Sequence, residues 1–279
     1  MTVHPRYTQT IAIFVLTLLT VLTLAVLVFI IVFVFGKGLP YISYDFLFAK
    51  PEDMGRSGGI FPTLIGTVIL PLFAIIIATP LGVGTAVYLT EYTRENRITR
   101  IIRFGADCLA GIPSIIFGLF GFIFFVTTLR MGWSIMSGSL TLVFMILPTI
   151  IRTSEEAIKA VPYSYREVSF SLGATLWQTV RKVVLPNALP GIVTGIMLSI
   201  GRSIGETAAV IFTAGSSLRM PHSIFDSIRT MSVHFYILAR EGISNKNAYA
   251  TAAVLIISIL IINLISYWMM NMFIAKKTK

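Results

Sequence analysis

Residues 7–35 contain no charged side chain, and an apolar run of that length can be hidden only in lipid or in a large protein core. About 20 apolar residues in a helix cross the ~30 Å hydrocarbon layer of a bilayer. Inside lipid every backbone amide and carbonyl must be satisfied within the segment or a closed barrel, which favours helices here. The sequence predicts six such membrane helices, at about 11–35, 61–89, 104–129, 140–158, 191–214 and 249–274. The first is far longer than the apolar core of a secretory signal, about 7–15 residues, and no small-x-small cleavage pattern follows it, so it is read as retained. Pro71 and Pro80 predict kinks in the second. The fourth is the weakest, because Arg152, Glu155 and Glu156 cut its apolar part short.

Charge supports this reading. Only 12% of residues are charged, against about a quarter in a soluble domain, which leaves too little polar surface for a water-soluble particle. The net charge of +10 raises the possibility of nucleic acid. The basic residues, however, sit in short segments between charge-free runs, the pattern of loops on an anionic membrane face, so membrane lipid is the expected partner and nucleic acid is not. Arg94, Arg97, Arg100, Arg103, Arg152, Lys159, Arg166, Arg181, Lys182 and the tail Lys276, Lys277 and Lys279 outnumber the basic residues of the opposite loops. That excess predicts both termini in the cytoplasm. Cys108 is a single cysteine, and His4, His222 and His234 show no ligand spacing, so they are expected to be ordinary loop histidines and no metal site is expected. The longest segments outside the spans, 152–190 and 215–248, are too short for a core of their own. Residues 1–57 form a tail, first helix and external loop, and 58–279 a core of five helices.

The loop 152–190 predicts two short helices. Ser164 and Glu167 have the spacing of a capping box, as do Thr175 and Gln178. Gly173 falls between them, where a left-handed residue ends a helix at no steric cost to glycine, and Pro186 is expected to stop the second helix. Tyr165, Val168 and Leu172, then Leu176, Val180, Val183 and Val184, place apolar residues on one side of each helix. The pair is either an amphipathic connector resting on the membrane or a docking element for a soluble partner.

Within the fifth run, Arg202 and Glu206 are four residues apart and share a helical face with Gly195, Ser199 and Ala209. Ser203 and Thr207 adjoin them. A charge in mid-membrane costs several kcal/mol, so such residues face protein or water. The two either form a buried structural ion pair or line a path in which a guanidinium helps an anion across.

Several stretches resemble one family. Glu167-Val168-Ser169, with Gly173 six positions after the glutamate and then Val183-Val184-Leu185-Pro186, is similar to the EAA loop of ABC-importer permeases, with Val168 and Ser169 in place of two alanines. Arg202-Ser203-Ile204-Gly205-Glu206-Thr207-Ala208-Ala209 and Phe212-Thr213-Ala214-Gly215 resemble the fifth-helix signature of phosphate-importer permeases. Ala110-Gly111-Ile112-Pro113-Ser114 and Pro148-Thr149-Ile150-Ile151-Arg152 are similar to the same family.

The resemblance implies an all-α membrane protein of type I ABC-importer permease architecture in the bacterial inner membrane, looking like the A-type subunit of a phosphate importer. Glu167, Gly173, Ala174, Leu185 and Pro186 would then couple to the ATPase, and Arg202, Ser203, Glu206 and Thr207 would lie on the substrate path. Implied partners are a C-type permease, two ATPase subunits and an external phosphate-binding protein. ATP and magnesium would sit on the ATPase. The chain itself lacks a phosphate-cradling loop, since Gly36-Lys37 has neither the upstream glycine nor the following hydroxyl residue. The chemistry of the residues alone specifies only an anion. It leaves open sulfate, molybdate or phosphonate, an ATP-independent carrier or channel, and a membrane scaffold or sensor.

Overall fold

The computed structural model describes residues 5–275, with side chains described for 9–268, so His4, Lys276, Lys277 and Lys279 lie outside the described residues. The helices are α1 (Pro5–Gly38), α2 (Tyr44–Phe48), α3 (Phe61–Val87), α4 (Arg97–Ala110), α5 (Ser114–Gly121), α6 (Ile135–Lys159), α7 (Tyr163–Ser171), α8 (Leu176–Thr179), α9 (Leu185–Ile204), α10 (Ala208–Thr213), α11 (Met231–Arg240) and α12 (Asn245–Ala275). Turns of wider π geometry prolong α3 over Tyr88–Tyr92, prolong α5 over Phe122–Thr128 and join α8 to α9 over Val180–Val184. The only strands among the described residues are two residues each, Pro51–Glu52 and Ser57–Gly58, paired antiparallel.

Among the described residues five helices are long and apolar enough to cross a membrane, and the third expected span is a bent pair. The run expected as one helix over 104–129 is broken at Gly111, Ile112 and Pro113, and α4 meets Ser114–Thr128 at 103°. Proline cannot donate to the preceding turn, so the helix ends before Pro113. Phe104 lies in the amphipathic α4, beside Arg97, Arg100 and Arg103, rather than in a span. What remains of the third span, Ser114–Thr128, is ~22 Å long at 1.5 Å per residue.

The fourth run also differs from expectation. Although the least apolar, α6 continues unbroken through Arg152, Glu155 and Glu156 and begins earlier, at Ile135. Some 67% of its apolar window is buried, the largest share of any span. Charged residues are tolerated because they pair. Arg103 Nε lies 2.8 Å from Glu155, Lys159 Nζ lies 2.6 Å from the same carboxylate, and Arg152 meets Asp107.

The core forms where α6 lies between α3 and α9. Leu70, Ala74 and Ala78 of α3 meet Leu142, Met145, Ile146 and Ile150 of α6, joined by Val210 and Val233. A second cluster toward the loop 152–190 combines Ala86, Val87 and Ile158 with Val180, Val184, Ala188 and Ile192. By contrast α1 has none of its apolar window buried and packs against α12, with Phe33 edge-on to Tyr249 at 5.9 Å.

Close approach of α6 and α9 depends on two glycines. A β-carbon on Gly191 would stand 2.6 Å from Ala157 Cβ, and one on Gly195 would stand 2.6 Å from Thr153 Cβ and collide with its Oγ1. Such overpacking costs about 1–3 kcal/mol. Gly195→Ala should therefore lower the thermal midpoint of the detergent-solubilised protein, and Thr153→Ala in the same chain, which removes the Oγ1 collision but keeps the Cβ contact, should restore only part of the loss. Equal midpoints for the wild type and Gly195→Ala would show that the two helices can part at no cost.

Candidate functional site: a docking hairpin and a broken helix

At one end of the bundle the residues between α6 and α9 form a helical hairpin. Gly173 is left-handed, with φ +77°. Its N–H donates to the Phe170 carbonyl at 2.9 Å, and the Ala174 N–H donates to the Ser169 carbonyl at 3.2 Å, which closes α7. Thr175 and Gln178 form the expected capping box. Thr175 Oγ1 accepts from the Gln178 N–H, and Gln178 Oε1 accepts from the Thr175 N–H at 2.9 Å.

Two local expectations fail. Ser164 and Glu167 form no capping box, because Pro162 occupies the position before α7 and places Ser164 inside the first turn. Glu167 is exposed. Pro186 does not stop the second helix either, since Leu176–Ile204 runs continuously from the hairpin into the bundle. The wider turns ahead of the proline absorb its missing N–H. Pro186 and Leu185 thus form the first turn of α9, half-buried, with Leu185 packed against the second cluster.

The first helix of the hairpin is inside out, whereas the second limb buries Val180 and Val184. The apolar residues of α7 face away from the bundle, with Val168 61% exposed and the following Leu172 82% exposed. Its buried residues are Arg166 and Ser169. Ser169 Oγ lies 2.8 Å from Thr179 Oγ1. Arg166 forms a bidentate ion pair with Glu91, in the wide turns after α3, with Nη2 at 2.7 Å and Nε at 3.2 Å from Oε1. It also donates to the Val161 and Ile158 carbonyls at 2.8 and 3.0 Å. Neither residue is among the expected site residues. The partners are 75 positions apart, and nothing local in the sequence joins them.

Toward the other end of the bundle the fifth span is interrupted. Instead of running to residue 214, α9 ends at Ile204, and Gly205, Glu206 and Thr207 form a bend before α10. The i,i+4 geometry expected of Arg202 and Glu206 requires an unbroken helix, and no ion pair joins them among the described residues. Arg202 is exposed in the last turn of α9. Glu206 is half-buried; its Oε1 accepts from the Ala209 N–H at 3.2 Å, and its carbonyl accepts from Ser232 Oγ at 2.7 Å. Ser203 is buried and donates to the Ser199 carbonyl at 2.8 Å. Thr207 lines an open cavity of about 980 Å³ with Leu119, Phe122, Trp133, Phe212 and Tyr236, which the other three expected residues do not line.

The segment covering the bend holds a buried cation. Arg229 Nε donates to the Ser216 carbonyl at 2.9 Å, and Nη1 lies 3.3 Å from His234 Nδ1. Burial lowers the Arg229 pKa to about 10. Burial, then the Arg229 charge, lowers that of His234 to about 3. The histidine is therefore neutral and accepts through Nδ1; it is a buried helical residue of α11 rather than the expected loop histidine.

Membrane-length helices, an outward-turned apolar helix α7 at one end and charged side chains at a broken span define a multi-spanning membrane protein. More narrowly, the chain belongs to the family described as binding-protein-dependent transport system inner membrane component, which matches residues 78–279. It is 34% identical over 270 residues to the probable ABC transporter permease protein YqgI of Bacillus subtilis (strain 168), covering 91% of this chain and 92% of that one. It is also 34% identical over 229 residues to the phosphate transport system permease protein PstA of Xylella fastidiosa (strain Temecula1), covering 81% and 79%. The fold is shared with an alginate ABC transporter structure at TM-score 0.67 and 15% identity, covering 95% and 96% of the two chains. It is shared too with the inward-facing MetNI methionine ABC transporter at TM-score 0.61 and 21% identity, covering 77% and 94%. The chain is thus an ABC-importer permease, a membrane-spanning transport subunit.

A β-carbon on Gly173 would meet nothing within 4 Å, so its left-handed backbone, not space, requires glycine. Gly173→Val should leave membrane insertion intact and misdirect the hairpin, costing about 1–2 kcal/mol locally and lowering transport. Normal uptake by an assembled Gly173→Val complex would show that the turn has no part in transport.

Proposed function

We propose that this chain is the A-type permease subunit of a phosphate importer, moving inorganic phosphate into the cytoplasm at the expense of ATP hydrolysed by partner subunits. The observation that carries the reading is Arg202, an exposed arginine in the last turn of α9 beside the break in a membrane-length helix. A charge at such a position is costly unless it meets protein, water or a ligand of opposite sign. A planar guanidinium suits the paired oxygens of an oxyanion. The names of the PstA relatives specify phosphate among the oxyanions. In this reading Arg202, Ser203, Glu206 and Thr207 border the path. Glu206 is held by its own backbone contacts rather than by Arg202, which leaves the guanidinium available to the passing anion.

The exposed apolar face of α7 is the docking surface for the ATPase, with Glu167, Gly173 and Ala174 in the hairpin and Leu185 and Pro186 at its root. Magnesium and ATP belong to two ATPase subunits. A C-type permease pairs with this chain, and an external phosphate-binding protein delivers the ion. The chain lies in the cytoplasmic membrane with both termini and the hairpin inside.

Removing a hydrogen bond to a charged group costs about 1.5–3 kcal/mol. Arg202→Gln should then lower phosphate uptake in proteoliposomes by roughly 10- to 100-fold while the complex still assembles and hydrolyses ATP. Glu206→Gln keeps the Ala209 contact and should lower uptake less. Wild-type uptake by Arg202→Gln, or uptake competed by sulfate as well as by phosphate, would refute the assignment.

A further inference from the structure

The hairpin presents a mechanical problem. A docking helix can move the bundle only if it is fixed to it, yet the apolar residues that ordinarily fix a helix point outward in α7. The polar residues it buries are Arg166 and Ser169. Ser169 reaches only Thr179, within the same hairpin. Among the described residues Arg166 is therefore the α7 side chain whose hydrogen bonds reach past the hairpin to the bundle body, through Glu91 and through the carbonyls that end α6.

We propose that Arg166 and Glu91 are positioning residues for energy coupling, forming the joint through which a displacement of α7 is delivered to α3 instead of being absorbed by the loop. The proposal rests on the reading that an ATPase docks on α7. Three features of the pair suit a joint. Its side chains are almost wholly buried, at 9% and 7% exposure, so water and salt screen it little. It is bidentate, which fixes orientation as well as distance. Arg166 also uses its remaining donors on backbone carbonyls, so the guanidinium cannot swivel without leaving buried acceptors unpaired.

The far side of the joint suits the role equally well. Glu91 sits at the end of a continuous helical run, Phe61–Tyr92, which spans the bundle. Near the opposite end of that run, Thr67 Oγ1 accepts the Met231 N–H of α11 at 2.8 Å. The next residue of α11, Ser232, donates to the carbonyl of Glu206 at the broken helix. One continuous helical run thus touches the hairpin joint at one end and, through α11, the break that carries the proposed path at the other.

The test uses the assembled importer, with Glu91→Gln and Arg166→Lys each compared with wild type. Glutamine keeps an acceptor but no charge. Lysine keeps the charge but lacks the fork that reaches Glu91 and two carbonyls together. Three quantities are read: assembly, hydrogen exchange of the α7 amides, and phosphate taken up per ATP hydrolysed. Both variants should assemble with ATPase bound, exchange α7 amides roughly tenfold faster, and lower uptake per ATP by roughly tenfold. Unchanged exchange or unchanged uptake per ATP in an assembled variant would overturn the proposal. Failure of both variants to assemble would also overturn it, showing a folding element rather than a joint. If wild type took up no phosphate, the substrate assignment would fall, while α7 exchange together with ATP hydrolysis stimulated by the binding protein would still decide the role of the joint.

Discussion

The bundle depends on α6 packing between α3 and α9. This helix is the most buried of the membrane-length helices and also the one with the most charge near its end. Both facts follow from its place. In lipid no hydrophobic force drives apolar helices together, so close packing and polar contacts must hold them. Gly191 and Gly195 let α9 approach α6 to contact distance. Ser139 donates to the Leu70 carbonyl at 3.1 Å, tying α6 to α3. Arg103 meets the Glu155 carboxylate, which Lys159 also pairs within α6, and so fastens α4 to the same helix end. The peripheral α1 and α12, facing outward over much of their length, depend on this core.

From that core the two candidate functional regions emerge in opposite directions. At one end α6 turns through Ala160 and Val161 into the hairpin, and the charged anchor Arg166 permits α7 to show its apolar side outward. Burying that pair is justified by geometry more than by stability. A buried ion pair gains little over an apolar contact, but losing one partner costs about 3–5 kcal/mol. Toward the other end the span breaks at Gly205 to Thr207, which frees Arg202 and Glu206 from each other. The break therefore sets where these two side chains stand relative to each other.

Features set by neighbours in sequence could be read from sequence. The runs of apolar residues locate the spans, and Gly173 and the Thr175–Gln178 box follow from contacts within four residues. Features that depend on helix continuity could not. Pro113 breaks a run that composition alone makes continuous, while Pro186, placed after wide turns, breaks nothing. The Arg202–Glu206 pairing failed for the same reason, since a wheel drawn through residue 205 assumes a helix that ends at 204. Ser164 lost its cap to Pro162, two positions earlier. Glu91 and Arg166 were missed on other grounds. Each reads as one more loop charge, and only the fold brings them together. A hint was present in α7, whose Arg166 and Ser169 lie three apart and so share a face, but a solvated polar pair has the same spacing.

ATP-driven passage of phosphate through a complex containing this chain underlies every role proposed for its residues. The most direct measurement is accumulation of labelled phosphate in proteoliposomes holding the chain with its companion permease and ATPase subunits, with binding protein on the side from which phosphate enters. Accumulation that requires both ATP and the binding protein is the predicted result. Phosphate entry that persists without ATP, or ATP-driven accumulation of a different solute with phosphate excluded, would contradict the account.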